Sequence, residues 1–289
     1  MTKTPTLDSL RSFVVFADKL NFTHAAEALH ISQPALHVKI NELGETLGVP
    51  LYIRSGRGLE LTEHGKKVSR FGREIEDRMD VFMQELSGEK ATRPIVLAAG
   101  EGTYQYLLAD AIQEFTRRGR DRLKLLTADR EGIIEAIASG RADLGVAPLE
   151  TTPHGFTAVP LKKVTQVLVM PRDYYLAKKK LIKLDDLSGE KLIVPPSNRP
   201  HRQMLSMALQ SAGVEWEVAV EAQGWELMLR FVQLKIGLAV VHSSCAIPRT
   251  LVTRPIPSLP NIHYHLLHLI GSDSRSDIAK LKSIVLAMQ

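Results

Sequence analysis

The chain has 289 residues, 44% of them apolar and 24% charged: long enough for two globular domains, and too rich in core-forming residues to be disordered. Its first segment, MTKTPTLDSL, has no apolar stretch, and no window is apolar enough to span a bilayer, so neither export nor a membrane partner is expected and a cytoplasmic location is. The single cysteine, Cys245, excludes an intrachain disulfide and a two-cysteine switch, and a formal charge of +5 permits a polyanionic partner without specifying one.

Charge alone does not locate such a partner. Residues 1–65 carry six cations (Lys3, Arg11, Lys19, Lys39, Arg54, Arg57) against seven carboxylates. Denser basic clusters follow at Lys66–Arg73, Arg117–Lys124 and Lys178–Lys183, and the last two read as solvated faces.

In chain order, Leu10, Phe13, Val14 and Ala17 recur at helical spacing within residues 7–20. A second, short helix is predicted over Thr23–Leu29 with Thr23 as its N-cap, and His30-Ile31 makes a tight connection. Ser32 then caps a third helix with Pro34 in its first turn. Leu36, Ile40, Leu43 and Leu47 form its apolar stripe, and Gly48 stops it. Three compact helices, two of them joined by a tight turn, make a helix-turn-helix. LYIR and LELT flank Ser-Gly-Arg-Gly over residues 51–62, which reads as a β-wing.

Thr62 caps a long helix predicted to run to about Leu86. Val68, Phe71, Ile75, Met79, Phe82 and Leu86 recur along it at spacings of three and four. Such a seam either covers the chain's own core or meets a partner helix, and the partner helix of a dimer is the expectation. SGEKATRP (Ser87–Pro94) reads as a hinge.

Beyond the hinge, strands and helices alternate. Strands are expected at 95–99, 123–128 and 143–148, with helices near 103–118 and 131–139. A second series places strands at 164–170, 191–195, 216–222 and 237–241, with helices near 200–212 and 225–235. A strand at 263–270 and a helix near 273–287 close the chain. The pattern implies two α/β lobes with mainly parallel sheets and a ligand cleft at the strand ends.

Residues 21–65 carry a specific combination: Phe22, Ala25-Ala26, Ser32-Gln33-Pro34-Ala35-Leu36, Ile40, Leu47-Gly48, Arg54 and Leu61-Thr62 with Gly65. This segment closely resembles the N-terminal signature of the LysR-type transcriptional regulators. LDDLSGEKLIV (184–194) and LKIGLAVVHSS (234–244) extend the resemblance more loosely through the rest of the chain. It implies an α/β protein with an N-terminal winged helix-turn-helix, a long dimerisation linker helix, and a two-lobed effector domain like that of periplasmic binding proteins. The corresponding divisions are a DNA-binding domain over 1–65, a linker helix and hinge over 66–94, and a regulatory domain over 95–289. Lobe I is then about 95–163 and 265–289, and lobe II about 164–264. The resemblance further implies a homodimer, paired into a tetramer, that binds an interrupted dyad in promoter DNA, bends it, and meets RNA polymerase.

At the DNA end, a recognition helix enters the major groove N-terminus first. Gln33 can read an adenine, and Pro34 or Ala35 can touch a thymine methyl. Ser32 suits a phosphate as well as its capping role, and Thr23, at the start of the preceding helix, is a further candidate for DNA contact. Arg54 and Arg57 suit backbone or minor-groove contact. Where the family often has Ser-Arg, this chain has His37-Val38. Lys39 is the candidate to replace the lost phosphate contact, and His37 can donate to a guanine or a phosphate. Gly44, where glutamate is usual, weakens the helix by roughly 1 kcal/mol relative to alanine.

At the sensing end, the resemblance places the effector between the lobes. Gly100, Gly102 and Thr103 follow the first strand. The Gly-x-Gly there looks like part of a dinucleotide fingerprint, but Gln105 occupies the third glycine position. Ser197, Asn198, Arg199, His201 and Arg202 surround a helix start suited to a carboxylate, with Arg199 or Arg202 as its bidentate partner. Gln223, Trp225 and His242 lie at later strand ends. Trp225 serves to stack on a ring or to fill the core. An anionic or aromatic-acid effector is expected, and Glu101 argues against a polyanion. His263, His265 and His268 read as strand histidines rather than metal ligands, and Cys245 as a buried small residue. No cofactor is expected, and no hydrolase, zincin or phosphate-loop motif is present in the sequence. A transport binding protein and an enzyme with a helix-turn-helix appendage are the rival classes. The N-terminal third opposes the first, and the lack of a catalytic constellation opposes the second.

Overall fold

A computed structural model describes residues 4–56, 58–86, 94–117, 122–271 and 275–288. Helix α1 (Leu7–Lys19) is capped by Thr6, whose hydroxyl accepts from Ser9 N at 3.1 Å. Helix α2 (Phe22–Ala28) is capped not by Thr23 but by Asn21, whose Oδ1 accepts from His24 N at 3.2 Å. A carboxamide one residue upstream takes the cap and releases the threonine hydroxyl. His30 turns the chain with φ 56°, and Ser32 caps α3 (Gln33–Leu47), which ends at Gly48 with φ 70°. The hairpin β1 (Tyr52–Ser55) and β2 (Gly58–Leu61) forms the wing.

The Thr62 hydroxyl accepts from Gly65 N at 2.9 Å and donates to Pro50 O at 2.6 Å, tying the wing to the start of α4 (Glu63–Leu86). Two glycines let α4 lie close to the helical core. A Cβ on Gly65 would fall 1.9 Å from Leu51 O, and one on Gly72 would fall 2.6 Å from a Val14 methyl. Phe13, Phe16, Leu36, Ile40 and Leu43 fill that core. Val68 and Ile75 pack against it from α4, so these two of the six seam residues serve the chain's own domain. α1 supplies the cover, which the sequence spacing alone did not reveal.

The rest of the chain forms two five-stranded sheets. Lobe I holds β3 (Ile95–Ala99), α5 (Glu101–Thr103) running through a π-helical turn (Tyr104–Leu108) into α6 (Ala109–Arg117), β4 (Leu123–Thr127), α7 (Arg130–Ala138), β5 (Leu144–Pro148) and β6 (Phe156–Val164). Lobe II holds β7 (Gln166–Pro171), β8 (Lys191–Val194), α8 (Pro200–Ser211), β9 (Glu217–Glu221), α9 (Trp225–Gln233), β10 (Leu238–His242) and β11 (Leu251–Pro255). The chain returns to lobe I with β12 (Ile262–Leu269) and α10 (Ser276–Ala287).

The strand orders are β4-β3-β5-β12-β6 and β11-β7-β10-β8-β9. Both sheets are mixed rather than mainly parallel. β3, β4 and β5 pair in parallel, as do β8, β9 and β10, while β6, β7, β11 and β12 pair antiparallel. Strands next to a lobe crossing arrive without a crossover helix and so run against their neighbours. All of β12 belongs to the lobe I sheet, so lobe II ends before Ile262 rather than at 264.

The helix-turn-helix domain and lobe I meet through α4 and α7. The Ser139 carbonyl, just past α7, accepts from Arg73 Nε at 3.2 Å and from the Ser69 hydroxyl at 3.4 Å. The same guanidinium reaches Asp18 at the end of α1 at 2.5 Å, and Lys66 pairs with Glu135 at 2.9 Å.

Candidate DNA-binding face and effector cleft

Ser32, Gln33, Pro34, Ala35 and His37 are all exposed on the N-terminal half of α3. The Ser32 hydroxyl accepts from Ala35 N at 3.3 Å. Thr23 also lies on this face, and its hydroxyl donates to Gln33 Oε1 at 3.2 Å. That bond orients the carboxamide and leaves its NH2 group free to donate. The His37 ring packs 4.9 Å from Phe22, and Asn41 Nδ2 donates to its Nδ1 at 3.0 Å. With Nδ1 accepting from Asn41, the ring N–H lies on Nε2 and can donate to a guanine edge or a phosphate. Lys39 is half-buried, and its Nζ lies 2.5 Å from Asp8 of α1. Arg54 is exposed on the wing strand opposite Leu59. Arg57 lies outside the described residues. Along α4, Phe71, Met79, Phe82 and Leu86 are exposed at 55%, 46%, 52% and 68%, joined by Met83 at 58%.

Four helices, α5, α7, α8 and α9, begin at one cavity of about 510 Å³ between the lobes. That is the size of a small-molecule site. Of the residues expected from sequence, Gly100, Gly102, Arg199, His201, Gln223 and Trp225 line it. Trp225 reaches across from lobe II onto the start of α5, where a Cβ on Gly102 would meet its ring at 3.1 Å. Gln105 Nε2 donates to Glu226 across the same gap.

Beneath Trp225 lies an aromatic cluster. Its ring centroid is 4.8 Å from that of His201 and 4.8 Å from that of His242, and His242 is 6.3 Å from Tyr264 of lobe I. Gln166, at 1% exposure, has its Oε1 3.2 Å from His201 Nε2. If that nitrogen carries the proton, His201 Nδ1 is left as an acceptor. His201 Nδ1, His242 Nε2 and Gln166 Nε2 are buried with no hydrogen-bond partner among the described residues. Burial pushes His201 down to about 3, with His242 beside it adding to the fall, and pushes His242 down to about 4. Both rings are therefore neutral at ordinary pH.

Five expected residues lie outside the cavity wall. Arg202 has turned away, its guanidinium 4.4 Å over the Trp216 ring. Ser197 and Asn198 are exposed on the loop before α8. Thr103 is buried against Tyr264, and His242 lies in the layer below Trp225. Asp129, Glu226 and Gln105 line the wall without having been expected there from sequence. Asp129 and Glu226 stand in the first positions of helices that follow strands, and that placement was the readable signal. Three carboxylates and one guanidinium face the cavity, so the expected anion loses its Arg202 partner and meets a net negative wall.

Among the described residues no group of three or more His, Cys, Asp or Glu could hold a metal, and no helix is long and apolar enough to cross a membrane. His268 is buried, its Nε2 2.9 Å from Lys282 Nζ. Cys245 is buried at 6% exposure, and desolvation pushes its thiol up to about 12.

A winged helix-turn-helix joined by a long helix to a two-lobed cleft defines a ligand-responsive DNA-binding regulator. Residues 7–66 match the bacterial regulatory helix-turn-helix protein family of lysR type, and residues 88–286 match the LysR substrate binding domain. The chain belongs to the LysR family and is a transcriptional regulator with a DNA-binding domain and an effector-binding domain. The transcriptional regulator YbhD of Escherichia coli K12 is 28% identical over 80% of this chain and 72% of its own length. Full-length OxyR from Pseudomonas aeruginosa superposes with a TM-score of 0.69 at 20% identity, over 99% of each chain. CbnR in complex with its target DNA superposes with a TM-score of 0.53 at 21% identity, over 97% of this chain and 98% of the other. At those identities the two structures share the fold.

Proposed function

We propose that this chain binds promoter DNA as a homodimer, paired into a tetramer, and that a small molecule in the inter-lobe cleft changes the arrangement of its subunits. The observation that carries the DNA half is the exposed Ser32–Ala35 edge of α3, with Gln33 oriented by Thr23 and Arg54 on the adjoining wing. Ser32 and Arg54 hold phosphates, while Gln33 and His37 read bases. The exposed stripe Phe71, Met79, Phe82 and Leu86 meets its copy in the partner, and RNA polymerase is the further partner at the promoter. The domain division at 65 and 94 stands in this reading, as does action in the cytoplasm, where the DNA is.

The test is retention of the DNA upstream of the protein's own gene by the full-length chain. Gln33→Ala and Arg54→Ala should each weaken binding about tenfold, Gln33→Ala in a sequence-dependent way and Arg54→Ala on all sequences. Unchanged retention in both variants overturns the DNA face.

A further inference from the structure

The charges on the cleft wall do not match an anion, and they do not match a simple cation either. Of the four helices that start at the cavity, three place a carboxylate there: Glu101 at α5, Asp129 at α7 and Glu226 at α9. Those carboxylates oppose the positive ends of their own helices, and Glu101 and Asp129 leave the lobe I side of the wall negative. The fourth helix, α8, is different. It has no acidic residue in its first turn and no side-chain cap, and Arg199 occupies its N-cap position. This twelve-residue helix therefore presents free backbone N–H groups and a guanidinium to the same space.

A second observation marks the α8 end as a place for a ligand. His201, in its first turn, lines the cavity, and its Nδ1 is buried without a hydrogen-bond partner among the described residues. Buried polar atoms without partners cost free energy, and a ligand that hydrogen-bonds to them recovers it. Trp225 gives the cavity an aromatic surface between its two charged ends.

We propose that the effector is a zwitterion, a free amino acid with an apolar or aromatic side chain. Its carboxylate sits at the α8 N-terminus and Arg199, its ammonium faces Glu101 and Asp129, and its side chain lies against Trp225. The assignment rests on the reading of this cleft as the effector site. It explains why a guanidinium and three carboxylates line one small cavity, which neither an acid nor an amine alone would require.

Three probes with the same ring separate the charges: L-phenylalanine, 3-phenylpropionate and phenethylamine, titrated into the full-length protein and followed by tryptophan fluorescence and thermal midpoint. L-Phenylalanine should bind at least about tenfold more tightly than either partner, since it gains one partly screened ion pair over each. Glu101→Gln should weaken phenylalanine and phenethylamine and strengthen 3-phenylpropionate, whereas a fold defect would weaken all three alike. Tightest binding of 3-phenylpropionate overturns the zwitterion and leaves the effector cleft standing. Tightest binding of phenethylamine overturns the carboxylate seat at α8. No binding by any of the three overturns the proposed ligand class, while the DNA face is judged separately by promoter retention.

Discussion

His201 and His242 are held where an imidazolium would have to surrender its water. Both stay neutral in the folded protein, with burial holding them down at about 3 and about 4, while the unfolded chain takes up protons near 6.5. Between those limits the unfolded state binds more protons, so stability is full above about pH 6.5 and falls as pH drops through the window. Most exposed carboxylates titrate below this range, which isolates the imidazoles between pH 7 and pH 5. The thermal midpoint should fall over that interval, and His242→Gln should flatten the fall. An unchanged slope would mean that other groups carry it. At this scale the sequence was readable wherever one residue makes its own bond, as for the Ser32 cap, the Gly48 stop and the Thr62 link. It misled at Thr23, where Asn21 competes for the same amide, and it could not show that Lys39 pairs with Asp8, thirty-one positions away.

Helix α4 divides its apolar stripe between two tasks. Val68 and Ile75 close the helix-turn-helix core, while Phe71, Met79, Phe82 and Leu86 stay exposed. The division predicts separable phenotypes. Phe82→Asp, or Met79→Asp, should lower the molecular mass of the protein in solution at micromolar concentration, as measured by sedimentation, with little change in the helix-turn-helix. Val68→Ala should instead lower the thermal midpoint of the N-terminal domain and leave the mass unchanged. A periodic stripe records that a face is apolar but not what covers it, so the spacing could not make this division. Two strands, β6 and β11, were not legible at all. Each is an edge strand of its sheet, β6 with Pro160 and paired lysines and β11 ending in Pro255. Proline and charge on an edge guard against stray pairing, and they also erase the alternation by which strands are recognised. The cleft was legible as a place, because strand ends announce it. Its charge was not, because Arg202 turned onto Trp216 while Asp129 and Glu226 turned in.

Across the whole molecule, α7 joins the two functional regions. Asp129 at its N-cap lines the cleft, and nine helical residues later the Ser139 carbonyl holds Arg73 of α4, which holds Asp18 of α1. A helix of that length is a rigid rod of about 14 Å. Arg73→Ala removes a side chain that bonds both domains, so calorimetry should resolve two unfolding transitions where the wild type shows a single one or two that overlap closely. Persistence of the wild-type profile would assign the coupling to Lys66 and Ser69 instead. The two lobes, meanwhile, are joined through Thr165 alone on one side, between β6 and β7, and through residues 256–261 on the other. Trp225 resting on Gly102 and the Gln105–Glu226 bond span the gap between them. If the effector sits under that clasp, as proposed, its release should follow lobe opening rather than free diffusion, and the regulator would keep a brief memory of its signal after the surroundings have lost it.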